Sequence, residues 1–74
     1  MSKFNVGDRV LVKNNLADKL RELTFYEDTC VDMQDRFAGT TQEIYALWTD
    51  DSSGQQYATV DLCCEIPVDC LELV

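Results

Sequence analysis

The sequence predicts a small, mainly β domain: five short strands wound into a closed or half-closed barrel, with a short helix or helical turns inserted between strands one and two. Three observations carry this. Residues 42–49 (Gln-Glu-Ile-Tyr-Ala-Leu-Trp-Thr) and 55–62 are strand-forming runs on either side of Asp50-Asp51-Ser52-Ser53-Gly54. That is a hairpin pattern, because Asp and Ser side chains bond local backbone and glycine accepts positive φ. Pro67 lacks an N–H and is expected to break the ladder after one more short strand, leaving a helical turn at 68–70 and a last strand at 71–74. Residues 9–13 supply a first strand with alternating valines. Seventy-four residues make one domain, and a chain of this size buries only roughly 60% of its unfolded surface.

Phe4 and Val6 are expected to cover one end of the barrel, and Gly7-Asp8 to turn the chain into strand one, residues 9–13. Val10 and Val12 alternate inward, with Arg9, Leu11 and Lys13 outward. Asn14 or Asn15 is placed to N-cap a helix. Leu16, Leu20 and Leu23 then recur at i, i+4 and i+7, a helical stripe that either caps the barrel or docks a partner or a second copy. Residues 24–32 place Phe25-Tyr26 and Cys30-Val31 around acids and read as an irregular loop or short edge strand. Met33 and Phe37 at i and i+4, with Gly39 at C′, predict one helical turn over 32–38. Residues 14–40 thus form a long insertion, and loops on a rigid scaffold are where binding residues concentrate. In the second strand Ile44, Ala46 and Trp48 share one face and Tyr45 and Leu47 the other. Both faces are apolar, so the strand is central or covered on two sides. In the third, Ala58, Val60 and Leu62 lie on one face and Tyr57, Thr59 and Asp61 on the other.

The tail Ile66-Pro67-Val68-Asp69-Cys70-Leu71-Glu72-Leu73-Val74 resembles the end of an SH3 domain, where an Ile-Pro step leads into a helical turn and a final strand. The opening Phe4-Asn5-Val6-Gly7-Asp8-Arg9-Val10-Leu11-Val12 resembles the first strand of SH3-like and KOW-like barrels, hydrophobe-x-Val-Gly-Asp-x-Val-x-Val. The middle, Met33-Gln34-Asp35-Arg36-Phe37-Ala38-Gly39-Thr40-Thr41-Gln42-Glu43-Ile44, is similar to a segment of small SH3-like proteins from phages and mobile elements of Gram-positive bacteria. The resemblance implies one five-stranded SH3-like barrel over residues 1–74 and a phage or mobile-element context, but no particular activity. It does not extend to proline-rich peptide binding: there is no Ala-Leu-Tyr-Asp-Tyr run, and Trp48 stands alone before an acidic turn.

Charge is the strongest functional signal. Six basic and fourteen acidic side chains give a net charge of −8. Lys3, Arg9, Lys13, Lys19 and Arg21 all lie in residues 1–21, and the rest of the chain has Arg36 alone among its cations. A body this acidic repels nucleic-acid backbones and anionic membranes and favours a basic partner, or serves only to keep a small domain dissolved. No apolar run approaches the roughly 18 residues that span a bilayer, and residues 1–5 contain no apolar h-region. A cytoplasmic protein is expected.

Chemistry-bearing patterns are sparse. Cys30, Cys63, Cys64 and Cys70 would be reduced in the cytosol. Four thiolates suffice for a tetrahedral zinc site, but the paired spacing of such sites is lacking. Cys63 and Cys64 would point to opposite faces of a strand, so one is expected to be exposed. The chain has no histidine, no Gly-rich phosphate loop and no EF-hand spacing around Asp50, Asp51 and Asp61. Neither enzyme activity nor a cofactor or metal is expected.

The leading expectation is an acidic SH3-like interaction module that binds a basic protein surface. Glu22, Tyr26, Glu27, Asp28, Asp32 and Asp35 of the insertion, with Asp50 and Asp51 of the hairpin turn, are the expected contacts. Three alternatives stand beside it: an inhibitor mimicking nucleic acid in the groove of a nuclease or CRISPR effector, a self-associating structural subunit, and nucleic-acid binding by Arg9, Lys13, Lys19 and Arg21.

Overall fold

The computed structural model describes residues 4–62 and 64–74. Strand β1 (Arg9–Val12) leads into helices α1 (Leu16–Glu22) and α2 (Glu27–Phe37). A hairpin of β2 (Thr41–Thr49) and β3 (Gln56–Val60) follows, then β4 (Cys64–Pro67), a 3-10 turn (Val68–Cys70) and β5 (Leu71–Leu73). All strand pairs are antiparallel, and the order is β4-β3-β2-β1-β5. The sheet is not closed: β4 and β5 are its edges. The strand-rich architecture with helices after β1 therefore holds, as one open five-stranded sheet with two short helices. No helix among the described residues is long and apolar enough to cross a membrane.

The buried side chains form one cluster in which the sheet (Val10, Val12, Ile44, Ala58, Val60, Ile66) meets the helices (Leu16, Leu20, Cys30, Met33, Phe37). The Leu16 and Leu20 stripe is spent inside the chain, capping the sheet as one of the two expectations had it, with Ala17 beside it. Phe4 is buried as expected, whereas Val6 is exposed.

The largest departure from expectation is α2. Residues 24–32 are not a loop or edge strand, and the helix extends well beyond one turn. Cys30, Met33 and Phe37 recur at i, i+3 and i+7, so the buried stripe of α2 begins at a cysteine. Its start is hidden by Thr24, which has φ +66°. Thr24 N–H donates to the Arg21 carbonyl at 2.9 Å and Phe25 N–H to the Leu20 carbonyl at 3.0 Å. These two bonds end α1 in a Schellman motif whose left-handed position, usually glycine, is occupied by a threonine. The expected cap is also replaced. Asn15 makes no side-chain cap bond; instead Ala17 N–H donates to Oε1 of Gln34 on α2 at 3.0 Å, and Gln34 Nε2 donates to the Asn14 carbonyl at 2.9 Å.

The strands need four further corrections. A bulge between Ile44 and Ala46 shifts the register, so Leu47 rather than Ala46 or Trp48 follows Ile44 toward the core. Tyr45 and Trp48 remain partly exposed, so β2 is central in the sheet but not covered on both faces. β3 ends at Val60, because Asp61 and Leu62 turn the chain with φ of +53° and +66°. Leu62 is consequently 76% exposed and does not share the buried face of Ala58 and Val60. Finally, Pro67 does not break the ladder but closes it, paired with Tyr57 at the end of β4; an edge strand tolerates proline because its nitrogen can face away from the neighbour.

Two stability changes are expected, both readable by thermal or denaturant unfolding. Thr24→Gly should raise stability by about 1 kcal/mol by removing a β-branched residue from the left-handed region. Gln34→Ala should lower it by ~1–2 kcal/mol through loss of the cap, whereas Asn15→Ala should change it by less than about 0.5 kcal/mol.

Candidate functional site

The expected contact residues separate into two groups. The first is engaged within the chain. Glu27 accepts two charge-assisted bonds from Arg21, Nε to Oε1 and Nη2 to Oε2, both 2.7 Å, and the same guanidinium reaches Asp18 at 3.0 Å. This fork clips the end of α1 to the start of α2. Glu22 lies 3.6 Å from Lys19, which also pairs with Asp69 at 3.0 Å. Asp32 lies 3.6 Å from Arg36, which reaches Asp61 at 4.0 Å. Asp50 accepts bonds from the Ser52 N–H and from the hydroxyls of Ser52 and Ser53 at 2.9–3.1 Å, shaping the hairpin turn.

The second group is free to face outward. Among the described residues, Asp28, Asp35 and Asp51 have neither an ion pair nor a side-chain bond, and Tyr26 is 87% exposed at the N-cap of α2. Asp28, Val31, Asp32 and Asp35 recur at i, i+3, i+4 and i+7, so they form one ridge opposite the buried stripe of α2. The structure therefore brings four of the eight residues onto one helix and a fifth and sixth into the turn at the end of the hairpin. Lys19 and Arg21 are tied to acids, so the expected four-residue basic patch is reduced to Arg9 on β1 and Lys13 just after it.

A hollow of about 440 Å³ lies where the α1–α2 corner meets the hairpin end, lined by Leu23, Phe25, Trp48, Asp50, Tyr57 and Glu65. Trp48 and Tyr57 stack at 4.7 Å between centroids with an 18° interplanar angle. Tyr57 is only 5% exposed and Trp48 43%. Burial, and next the Asp50 charge, push the Tyr57 phenol above its ordinary value, so it stays protonated. Phe25, Trp48, Tyr57 and Glu65 were not among the expected contacts. The sequence does hold a signal for two of them: counting outward from Asp50 and Gln55, which the turn joins, pairs Thr49 with Gln56 and Trp48 with Tyr57.

Among the described residues no group of three or more His, Cys, Asp or Glu side chains is arranged to hold a metal ion. Cys30 and Cys70 are buried, and burial pushes the Cys70 thiol up to about 11. Cys64 is half-buried, with its Sγ 4.0 Å from Arg36 Nη1; Cys63 lies outside the described residues. Compared with protein families, with curated proteins and with solved structures, the chain matches none.

The fork from Arg21 holds the Glu27 carboxyl below its ordinary value, and its hydrogen bonds from Ser52 do the same for Asp50. A carboxylate whose folded pKa is depressed contributes stability at neutral pH and loses it as pH falls through that folded pKa. The stability difference between the native chain and Glu27→Gln should therefore be greatest above the ordinary carboxylate range, about 4.3, and vanish in stronger acid. Denaturant titrations across a pH series measure this directly.

Proposed function

We propose that this chain is a small SH3-like interaction module that binds a basic surface of a protein partner. The observation that carries the reading is the charge accounting. Lys19, Arg21 and Arg36 are consumed by internal ion pairs, which leaves Asp28 and Asp35 uncompensated on the helix that carries exposed Val31 and is capped by exposed Tyr26, and Asp51 uncompensated in the hairpin turn. Carboxylates interleaved with apolar side chains complement a cationic, partly apolar target. The SH3-like part of the reading is supported by β1 pairing with both β2 and β5, and by the 3-10 turn that precedes the last strand.

Two observations weigh against the alternatives. For a nucleic-acid mimic, the α2 ridge offers only two uncompensated carboxylates, Asp28 and Asp35, because Arg36 pairs with Asp32. For self-association through the leucine stripe, Leu16 and Leu20 are buried in the chain's own core.

The test uses D28N/D35N/D51N. None of these carboxylates has an internal partner among the described residues, so the melting temperature should not fall. Binding to a partner captured from bacterial lysate should weaken about tenfold, as for three charge contacts of ~0.5 kcal/mol each. Native binding should fade as salt rises toward ~1 M, where the screening length is about 3 Å. Undiminished binding by the triple variant would sink the reading. Competition by duplex DNA for a basic nucleic-acid enzyme would transfer it to mimicry.

A further inference from the structure

The 440 Å³ hollow is a cleft on one face of the sheet. Trp48 of β2 pairs with Tyr57 of β3, and Glu65 of β4 pairs with Thr59, two residues from Tyr57. Paired residues share a face, as do residues two apart on one strand. Trp48, Tyr57 and Glu65 therefore rise on the same side. Leu23 and Phe25 of the α1–α2 corner supply a further wall. The volume falls within the roughly 300–1,000 Å³ of small-ligand sites.

The lining is one-sided in charge. Asp50 and Glu65 bring carboxylates, and none of the described residues that line the cleft is basic. Asp50 is held in place and ionised by its bonds from Ser52 and Ser53, and its charge is felt at the Tyr57 phenol. Glu65 is exposed and has no ion pair among the described residues. Lys19 also acts on the Tyr57 phenol, but its ammonium is held by Asp69 at 3.0 Å and Glu22 at 3.6 Å. The two carboxylates thus meet no internal cation in the cleft, and the rings of Phe25 and Trp48 beside them are partly exposed. An aromatic face attracts a cation within about 6 Å of its centroid. A guanidinium adds flat stacking and a two-pronged bond to a carboxylate, and the carbon stem behind it covers apolar surface such as Leu23.

We propose that this cleft receives a single arginine side chain of the basic partner, its guanidinium among Trp48, Phe25 and the carboxylates of Asp50 and Glu65. The inference rests on the interaction reading above and adds to it one specific contact, apart from the α2 ridge.

The experiment uses the full chain, whose single tryptophan, Trp48, reports on the cleft. Emission and amide ¹H–¹⁵N spectra are followed with three probes. These are acetyl-Gly-Arg-Gly-amide, its lysine counterpart, and its citrulline counterpart, which keeps the shape of arginine without the charge. The arginine probe should bind in the millimolar range and shift Trp48 emission and the amides of Phe25, Tyr57 and Glu65. The lysine probe should bind about threefold more weakly, because an ammonium neither stacks flat on a ring nor forks onto a carboxylate. The citrulline probe should bind about tenfold more weakly, the scale of one cation–π contact together with one or two exposed charge contacts. Glu65→Gln should weaken the arginine probe about threefold and Glu65→Arg about tenfold or more. Neither should lower the melting temperature, because Glu65 is exposed. D28N/D35N, on the α2 ridge, should leave the arginine probe unaffected.

Equal affinity for arginine and citrulline, indifference to Glu65→Arg, or no saturable shift overturns the proposal. Lysine binding as tightly as arginine overturns it in favour of a simple charge site. The two readings fail separately. If an oligo-arginine peptide binds in a salt- and D28N/D35N/D51N-sensitive way while the arginine and citrulline probes are indistinguishable, the arginine receptor falls and the interaction reading stands. If the arginine probe binds as expected but the triple variant leaves partner binding intact, the acidic ridge falls and the cleft remains.

Discussion

The side-chain amide of Gln34 holds the start of α1, accepting from Ala17 N–H and donating to the Asn14 carbonyl. α1 is seven residues long, well below the roughly 12–15 at which an isolated helix becomes even marginal in water. It exists because α2 closes its first turn and because Leu16 and Leu20 reach the core. Burying each of those leucines contributes ~1.5–3 kcal/mol. An exposed ion pair contributes ~0–1 kcal/mol. Packing therefore supplies the stability of the helical insertion, and the polar contacts set its orientation.

That division of labour explains the surface. Each cation of the helices joins one element to another: Lys19 reaches the 3-10 turn, Arg21 reaches α2, and Arg36 reaches the β3–β4 turn. The cations that keep the insertion in place are thereby offset by ion pairs, while Asp28 and Asp35 on the far side of α2 are left uncompensated. The negative field of the domain follows from how few cations the chain has and from where folding uses them.

The bulge in β2 connects fold to cleft. With one extra residue between Ile44 and Leu47, the inward side of the strand is handed from Ile44 to Leu47, and Trp48 is released to stack on Tyr57. The Schellman turn at Thr24 meanwhile brings Leu23 and Phe25 against the same hairpin end. Two local irregularities far apart in the chain thus build the walls of one hollow.

Much of this was legible in the sequence. Alternation placed Val10 and Val12 in the core and put Ala58 and Val60 on one face, and turn chemistry located residues 50–54 and Gly39. The helical turn before the last strand was marked by the residues that follow Pro67. Each of these is a short-range preference that a few neighbouring residues decide. The acids at Asp28, Asp35 and Asp51 were legible as charge. What tertiary structure alone decided is which acids are neutralised, since ion pairs such as Lys19 with Asp69 join residues remote in sequence. It also decided the length of α2, whose stripe depends on a cysteine being core, and the change of face in β2, since a bulge leaves no local trace. The cleft belongs to this second class. Phe25, Trp48, Tyr57 and Glu65 come from four separate parts of the chain, and only the packing of the helical corner against the sheet makes them one surface.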